Sequence, residues 1–236
     1  MSESVRAAVE QTTAEFRELY IDINLKSWDA ATQGTPAALD AAAAARARWM
    51  RYWADPAPYQ QYKDWDESGA AGEDPQLARM VHLLHLGFAE GQRDPGTIDE
   101  MTELSKVLDD AYTNFRAEVN GQRLTANAIQ QILDNETDSD RRRAAWEASK
   151  GIGPRVADKI RRLAELRNEA ARRMGYDNFH RMSLTLDELD PYKPQIVRWL
   201  ESHPYTAAQI FLRLRESGYA GGITIVKDYV RRIRPP

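Results

Sequence analysis

The chain of 236 residues contains four histidines, His82, His85, His180 and His203. His82 and His85 stand three apart in the run HLLHLGF. On a helix that spacing puts both imidazoles on one face, within reach of one metal ion. Zinc-dependent hydrolysis needs more: an HExxH helix supplies two His and a Glu that activates the bound water. No Glu lies between His82 and His85, and no further ligand is marked, so both are read as ordinary helix residues and no metal ligand is assigned. Cysteine is absent, which excludes disulfides and thiolate metal sites. Gly151-Ile152-Gly153 precedes no Lys-Ser/Thr pair and is no phosphate loop. No Ser-centred nucleophile motif occurs. Glu165, Arg167 and Glu169 read as a solvated helix face, and Trp146 and Tyr176 as core aromatics. No catalytic residue is nominated.

Charge supplies the other chemical signal. Residues 191–236 hold Lys193, Arg198, Arg213, Arg215, Lys227, Arg231, Arg232 and Arg234 against Glu201, Glu216 and Asp228. That segment is therefore +5, and with a whole-chain charge of −4 the preceding residues carry −9. Such an asymmetry points to different partners for the two parts. The bulk composition, 42% hydrophobic and 29% charged, is that of a soluble globular protein. No apolar run reaches the roughly 20 residues needed to cross a bilayer, and MSESVRAAVEQTTAEF has no signal-peptide core. The expected location is cytoplasmic, with no membrane partner.

The elements that would position these residues are helical. Apolar spacing predicts helices over 3–32, from Pro36 to Ala54, over 75–91 and over 97–117. A shorter one is expected within 59–74, after a stop at Asp55-Pro56-Ala57-Pro58. Val5, Val9, Phe16, Leu19, Tyr20, Ile23 and Trp28 form the inner stripe of the first, and Leu77, Met80, Val81, Leu84 and Phe88 that of the fourth. Asp94-Pro95-Gly96 reads as a turn. Asn120-Gly121 suits either a loop or a small hairpin. Thr125 caps a helix to about Asn135, and Asp138 or Ser139 caps the next. A long helix runs from Pro154 to about Met174, where Gly175 ends it.

The C-terminal module reads as three short helices. The first opens at Pro191 and Pro194 and turns Ile196, Val197 and Leu200 inward. Thr206 caps the second, with Ala207, Ile210, Phe211 and Leu214 as its stripe, and Gly218 ends it. After Tyr219-Ala220-Gly221-Gly222, Thr224 caps the third, which buries Val226, Tyr229, Val230 and Ile233. Three helices with a glycine turn before the last match a helix-turn-helix. Thr224, Lys227, Asp228, Arg231, Arg232 and Arg234 are its expected DNA-binding residues, with duplex DNA as partner.

Two resemblances follow from particular runs of residues. Ala145-Trp146-Glu147-Ala148-Ser149, Leu166-Arg167-Asn168-Glu169-Ala170-Ala171, and Met174-Gly175-Tyr176 followed by Met182-Ser183-Leu184 resemble the angiotensin-converting-enzyme-like peptidyl-dipeptidase family. The resemblance implies a nearly all-helical fold and a zinc held by HExxH and a further Glu. That motif lies beyond the region matched, and its ligands are absent here. LDPYKPQIVRWLE, TAAQIFLRLRESGYAGG and VKDYVRRIR resemble the DNA-binding region of IstA-type insertion-sequence transposases, which precedes a metal-dependent catalytic core in that family.

The expected protein is all-α, with an incomplete peptidyl-dipeptidase-like helical domain over 1–189 and a helix-turn-helix module over 190–236. Its expected function is that of a hybrid without a complete active site or cofactor, joined close to Leu186–Pro191. The alternatives are a peptidase-family fragment needing a partner that supplies zinc, and a helical protein-interaction module. Self-association, or pairing with the missing peptidase half, belongs with these.

Overall fold

The computed structural model describes residues 2–186, 192–217, 219 and 222–233; the side chains of Thr224, Ile225, Asp228 and Arg232 lie outside that description. The described chain is 82% helical, with one two-stranded sheet, so the all-α expectation holds. It divides into two compact units, Met1–Asp55 with Arg93–Leu166, and Pro56–Gln92 with Arg167–Pro236.

In the first unit α1 (Ser2–Gln33) packs on α2 (Pro36–Trp53), and α2 on α5 (Pro95–Asn114). The alanine run of α2 makes close approach possible, since Ala38, Ala42, Ala45 and Ala47 are all buried. Thr35 caps α2, its side chain accepting from the Ala38 N–H. Phe16 of α1 lies 5.4 Å from the Trp49 ring and 5.7 Å from the Trp53 ring, so aromatic contacts extend this seam. The expected inner stripe of α1 holds at Val5 and Val9 but not at its far end, where Tyr20 is 52% and Trp28 70% exposed.

Proline marks starts here more often than stops. Asp94 is the N-cap of α5 and Pro95 sits in its first turn, so Asp94-Pro95-Gly96 opens the helix rather than standing outside it. Asn120 and Gly121, with φ of 51° and 79°, close a hairpin between β1 (Ala117–Val119) and β2 (Gln122–Leu124). Thr125 caps α6 (Ala126–Asn135) and Asp138 caps α7 (Ser139–Ser149). A 3-10 turn at Lys150–Ile152 leads into α8 (Gly153–Arg173). Ala117, Ile129 and Ala145 bury a small core between the hairpin, α6 and α7. Trp146 is 51% exposed instead of buried, its ring covered by the Lys150 ammonium at 4.9 Å.

In the second unit α3 (Pro56–Ser68) and α4 (Pro75–Gly91) pack together, and α4 also packs on α9 (Phe179–Leu186). α3 begins at Pro56, inside the expected stop, because proline's missing N–H costs nothing in a first turn. Gly69 and Gly72 adopt φ of 64° and 70° in the connection, and Asp74 caps α4 through the Gln76 and Leu77 N–H groups. Gly175 ends α8 at φ 85°, with the Tyr176 N–H bonded to the Ala171 carbonyl. α10 (Lys193–Ser202), α11 (Ala207–Glu216) and α12 (Ile223–Ile233) share a core of Ile196, Ile210, Leu214, Tyr219, Val226 and Val230. Thr206 and Gln209 form a reciprocal capping box on α11.

Candidate functional site

Two constellations in the second unit carry chemistry. The first is built from α3 and α4. Tyr62 of α3 stacks on Phe88 of α4 with ring centroids 5.7 Å apart and planes 10° apart, and both side chains are buried. With that pair fixing how the two helices face each other, Asp66 comes opposite His82 and His85. Its Oδ2 lies 2.8 Å from His82 Nδ1 and 2.7 Å from His85 Nδ1. Each ring therefore donates Nδ1–H to the same carboxylate oxygen. Burial works to raise the Asp66 carboxyl, but the hydrogen bonds from His85 and His82, with their charge, outweigh it and hold it below the usual aspartate value. The side chains are 17% exposed at His85, 23% at Asp66 and 39% at His82, so the cluster is half-buried and reachable from solvent. The residue that sequence spacing missed is Asp66. It sits in α3, on the far side of a glycine-containing connection, and no local pattern links it to HLLH.

The zinc motif implied by the peptidase resemblance does not fit this chain. None of His82, His85, His180 and His203 stands four residues from another, so HExxH is absent from the sequence. Among the described residues, Asp66, His82 and His85 are the group placed to hold a metal ion, with ligand atoms within 4.8 Å of one another. No hydrolytic step is derived from it.

The second constellation is α12. Lys227 and Arg231, one turn apart, are exposed, while Val226 and Val230 are fully buried on the opposite side. Tyr229 and Ile233 are partly buried against the same core. The expected DNA-binding residues divide accordingly. Lys227 and Arg231 lie on one exposed face, and Asp228 and Arg232 occupy the same helix. Arg234 lies outside the described residues, as do Gly218, Ala220 and Gly221. The expected cap role of Thr224 is corrected: α12 starts at Ile223, which puts Thr224 inside the first turn. α11 adds exposed Arg213 and Arg215, the former 4.4 Å over the Tyr205 ring and bonded to its hydroxyl at 2.9 Å. Tyr219 is a core residue that periodicity did not mark, because it lies between helices rather than on one.

Among the described residues no helix is long and apolar enough to cross a membrane. No solved structure matches this chain. A Geobacillus stearothermophilus protein named as the transposase for insertion sequence element IS5376 is 42% identical over 48 residues, which are 20% of this chain and 12% of that relative. The match corresponds to the segment with the transposase resemblance. The family model described as angiotensin-converting enzyme, Peptidase_M2, matches residues 1–202, through the end of α10. Since that covers most of the 236 residues, the chain belongs to the angiotensin-converting enzyme family of peptidases.

Proposed function

We propose that the chain is a hybrid: a helical portion of the peptidase family without the family's zinc site, joined to a transposase-derived module over 190–236 that binds duplex DNA as a helix-turn-helix. The observation that carries this reading is the basic face of α12, set on a separate core shared by α10, α11 and α12, within the segment similar to a transposase. Lys227 and Arg231 stand where they can neutralise phosphates, with Arg232 and Arg234 beside them in sequence and Thr224 and Asp228 near the start of the helix. The peptidase portion contributes no catalytic residue, and peptide hydrolysis is not part of the proposal.

The test is binding of the full chain to fluorescent duplex DNA across a salt series. A small module with a few phosphate contacts binds at about micromolar or weaker, and log affinity falls with log salt by about 0.9 per contact. Arg231→Ala with Arg232→Ala weakens binding and flattens the slope, while helicity by circular dichroism is unchanged. A folded chain with no salt-sensitive DNA binding refutes the DNA reading.

A second reading, the helical interaction module, is favoured by one observation. Ile21, Leu25 and Trp28 lie along one side of α1 and are 51%, 60% and 70% exposed. Three large apolar side chains on one helix face suit association with a second copy or with another part of the peptidase family's fold.

A further inference from the structure

We propose that Asp66, His82 and His85 form a binding site for a divalent transition-metal ion of the zinc type, built by the α3–α4 hairpin and independent of any peptidase or DNA activity.

The donor set decides the class of ion. Two imidazole nitrogens and one carboxylate oxygen suit Zn²⁺, Co²⁺ or Ni²⁺, whereas Ca²⁺ and Mg²⁺ require mostly oxygen. Three protein ligands leave a position for water, as in three-ligand zinc sites. The three donor groups converge on one point. Metal–ligand bonds of about 2.0–2.2 Å place tetrahedral donors roughly 3.3–3.5 Å apart. The two Nδ1 atoms now sit 2.8 and 2.7 Å from Asp66 Oδ2, with protons between them. An ion replacing those protons needs each nitrogen to move about 0.5–0.8 Å away from the Asp66 oxygen, a rotamer-scale change. A neutral imidazole can carry its proton on Nε2, which leaves Nδ1 to bind the metal. The carboxylate contributes its negative charge at neutral pH.

Ordinary packing accounts for less of this arrangement. One histidine suffices to bond a half-buried carboxylate. Here a second, one turn away on α4, is aimed at the same oxygen from the same helix. The frame is also preset. The stacked Tyr62–Phe88 pair holds the hairpin, Tyr62 makes an edge contact with Trp65 at 5.4 Å, and Tyr59 lies 6.0 Å from the His85 ring. Partly buried donors in a rigid frame lose little entropy on closing around an ion, and their residual exposure leaves an entry path.

The experiment uses the full chain, stripped with a chelator and titrated with Co²⁺. One Co²⁺ per chain is expected, with visible d–d bands that Zn²⁺ abolishes and excess Mg²⁺ does not. Asp66→Asn and His85→Ala each weaken Co²⁺ binding by about tenfold or more, the scale lost even when outer-shell partners are removed. His180→Ala and His203→Ala leave it unchanged. A further measurement needs no variant. In the unaltered protein Zn²⁺ should protect His82 and His85 from acylation by diethylpyrocarbonate, read by mass spectrometry, with His180 and His203 as internal references. Absence of saturable Co²⁺ binding, binding that persists in a His82→Ala, His85→Ala double variant, or equal protection of all four histidines overturns the proposal.

Discussion

Leu214→Ala removes three carbons from the centre of the α10–α12 core. Leu214 is fully buried there among Ile196, Ile210, Tyr219, Val226 and Val230. At about 0.8 kcal/mol per buried methylene the transfer loss alone is about 2.4 kcal/mol. The cavity left behind raises it to roughly 3–4 kcal/mol, within the usual range for Leu→Ala at a closed site. Taken alone, the proposed module of roughly forty residues would have about 2–6 kcal/mol of stability in all. The single change therefore takes most of it, and the helices should open locally far more often than before. Leu212 is the internal control: the same residue type on the same helix, but 62% exposed. Its replacement by Ala should stay within about 0.5 kcal/mol.

Hydrogen exchange by mass spectrometry on the full chain separates the two. A loss of about 3 kcal/mol corresponds to protection falling more than a hundredfold, since every 1.4 kcal/mol is tenfold. That loss should appear in peptides from α10, α11 and α12 and spare α1, α2 and α5, which bury their own core in the first unit. Equal effects of Leu214→Ala and Leu212→Ala would refute the assigned core. Protection falling equally across α3 and α4, the other helices of the second unit, would refute the proposed separateness of the C-terminal module.

Two further outcomes follow. Gly34→Ala should lower the stability of the first unit by about 1–3 kcal/mol in denaturant unfolding, because Gly34 has φ 62° and a Cβ there would lie 2.8 Å from Asn114 Oδ1; Gly72→Ala, at φ 70° with nothing within 4 Å, should cost less, and equal losses would count against the steric part. Trp28→Ser should reduce self-association measured by sedimentation velocity with no loss of helicity, and unchanged association would remove the α1 face from the interaction reading.

The fold was legible where the signal is local. Thr125, Asp138 and Thr206 cap the helices they were expected to cap, since an N-cap is one side chain bonding a backbone two or three residues away. The Asn120-Gly121 hairpin is local for the same reason: left-handed φ at both central residues selects the turn. Ile196, Ile210, Leu214, Val226 and Val230 were legible from helical periodicity. The misses have non-local causes. Pro56 and Pro95 are equally compatible with ending a helix and starting one, and only the cap at Asp94 decides the second case. Trp28 has roughly the spacing of the α1 stripe, but at that level the face turned to α2 is that of Ala30, buried with Leu39 and Ala42, and Trp28 lies about 200° round the helix from it. Asp66 is the strongest instance. Its meeting with His82 and His85 depends on which turn of α3 faces which turn of α4, and that is set by the Tyr62–Phe88 stack, a contact between residues far apart in sequence.

The two similarities meet on α10. The peptidase family match continues to residue 202, the last residue of that helix, while the transposase resemblance begins before it. In the fold Ile196 of α10 is fully buried against α11 and α12, so its apolar stripe is used by the C-terminal core. A short amphipathic helix is unusually tolerant of such a change of context. Its own hydrogen bonds close within the segment, and all it requires from a neighbour is an apolar surface of matching width. Sheet strands would not allow this, since each needs a partner in register along its edge. In the proposed hybrid the join falls beside a helix that either parent can supply and whose stripe the new neighbours can cover. The same property explains why helix formation alone cannot locate the join, and why the test of separateness rests on the buried contacts of Leu214 rather than on secondary structure.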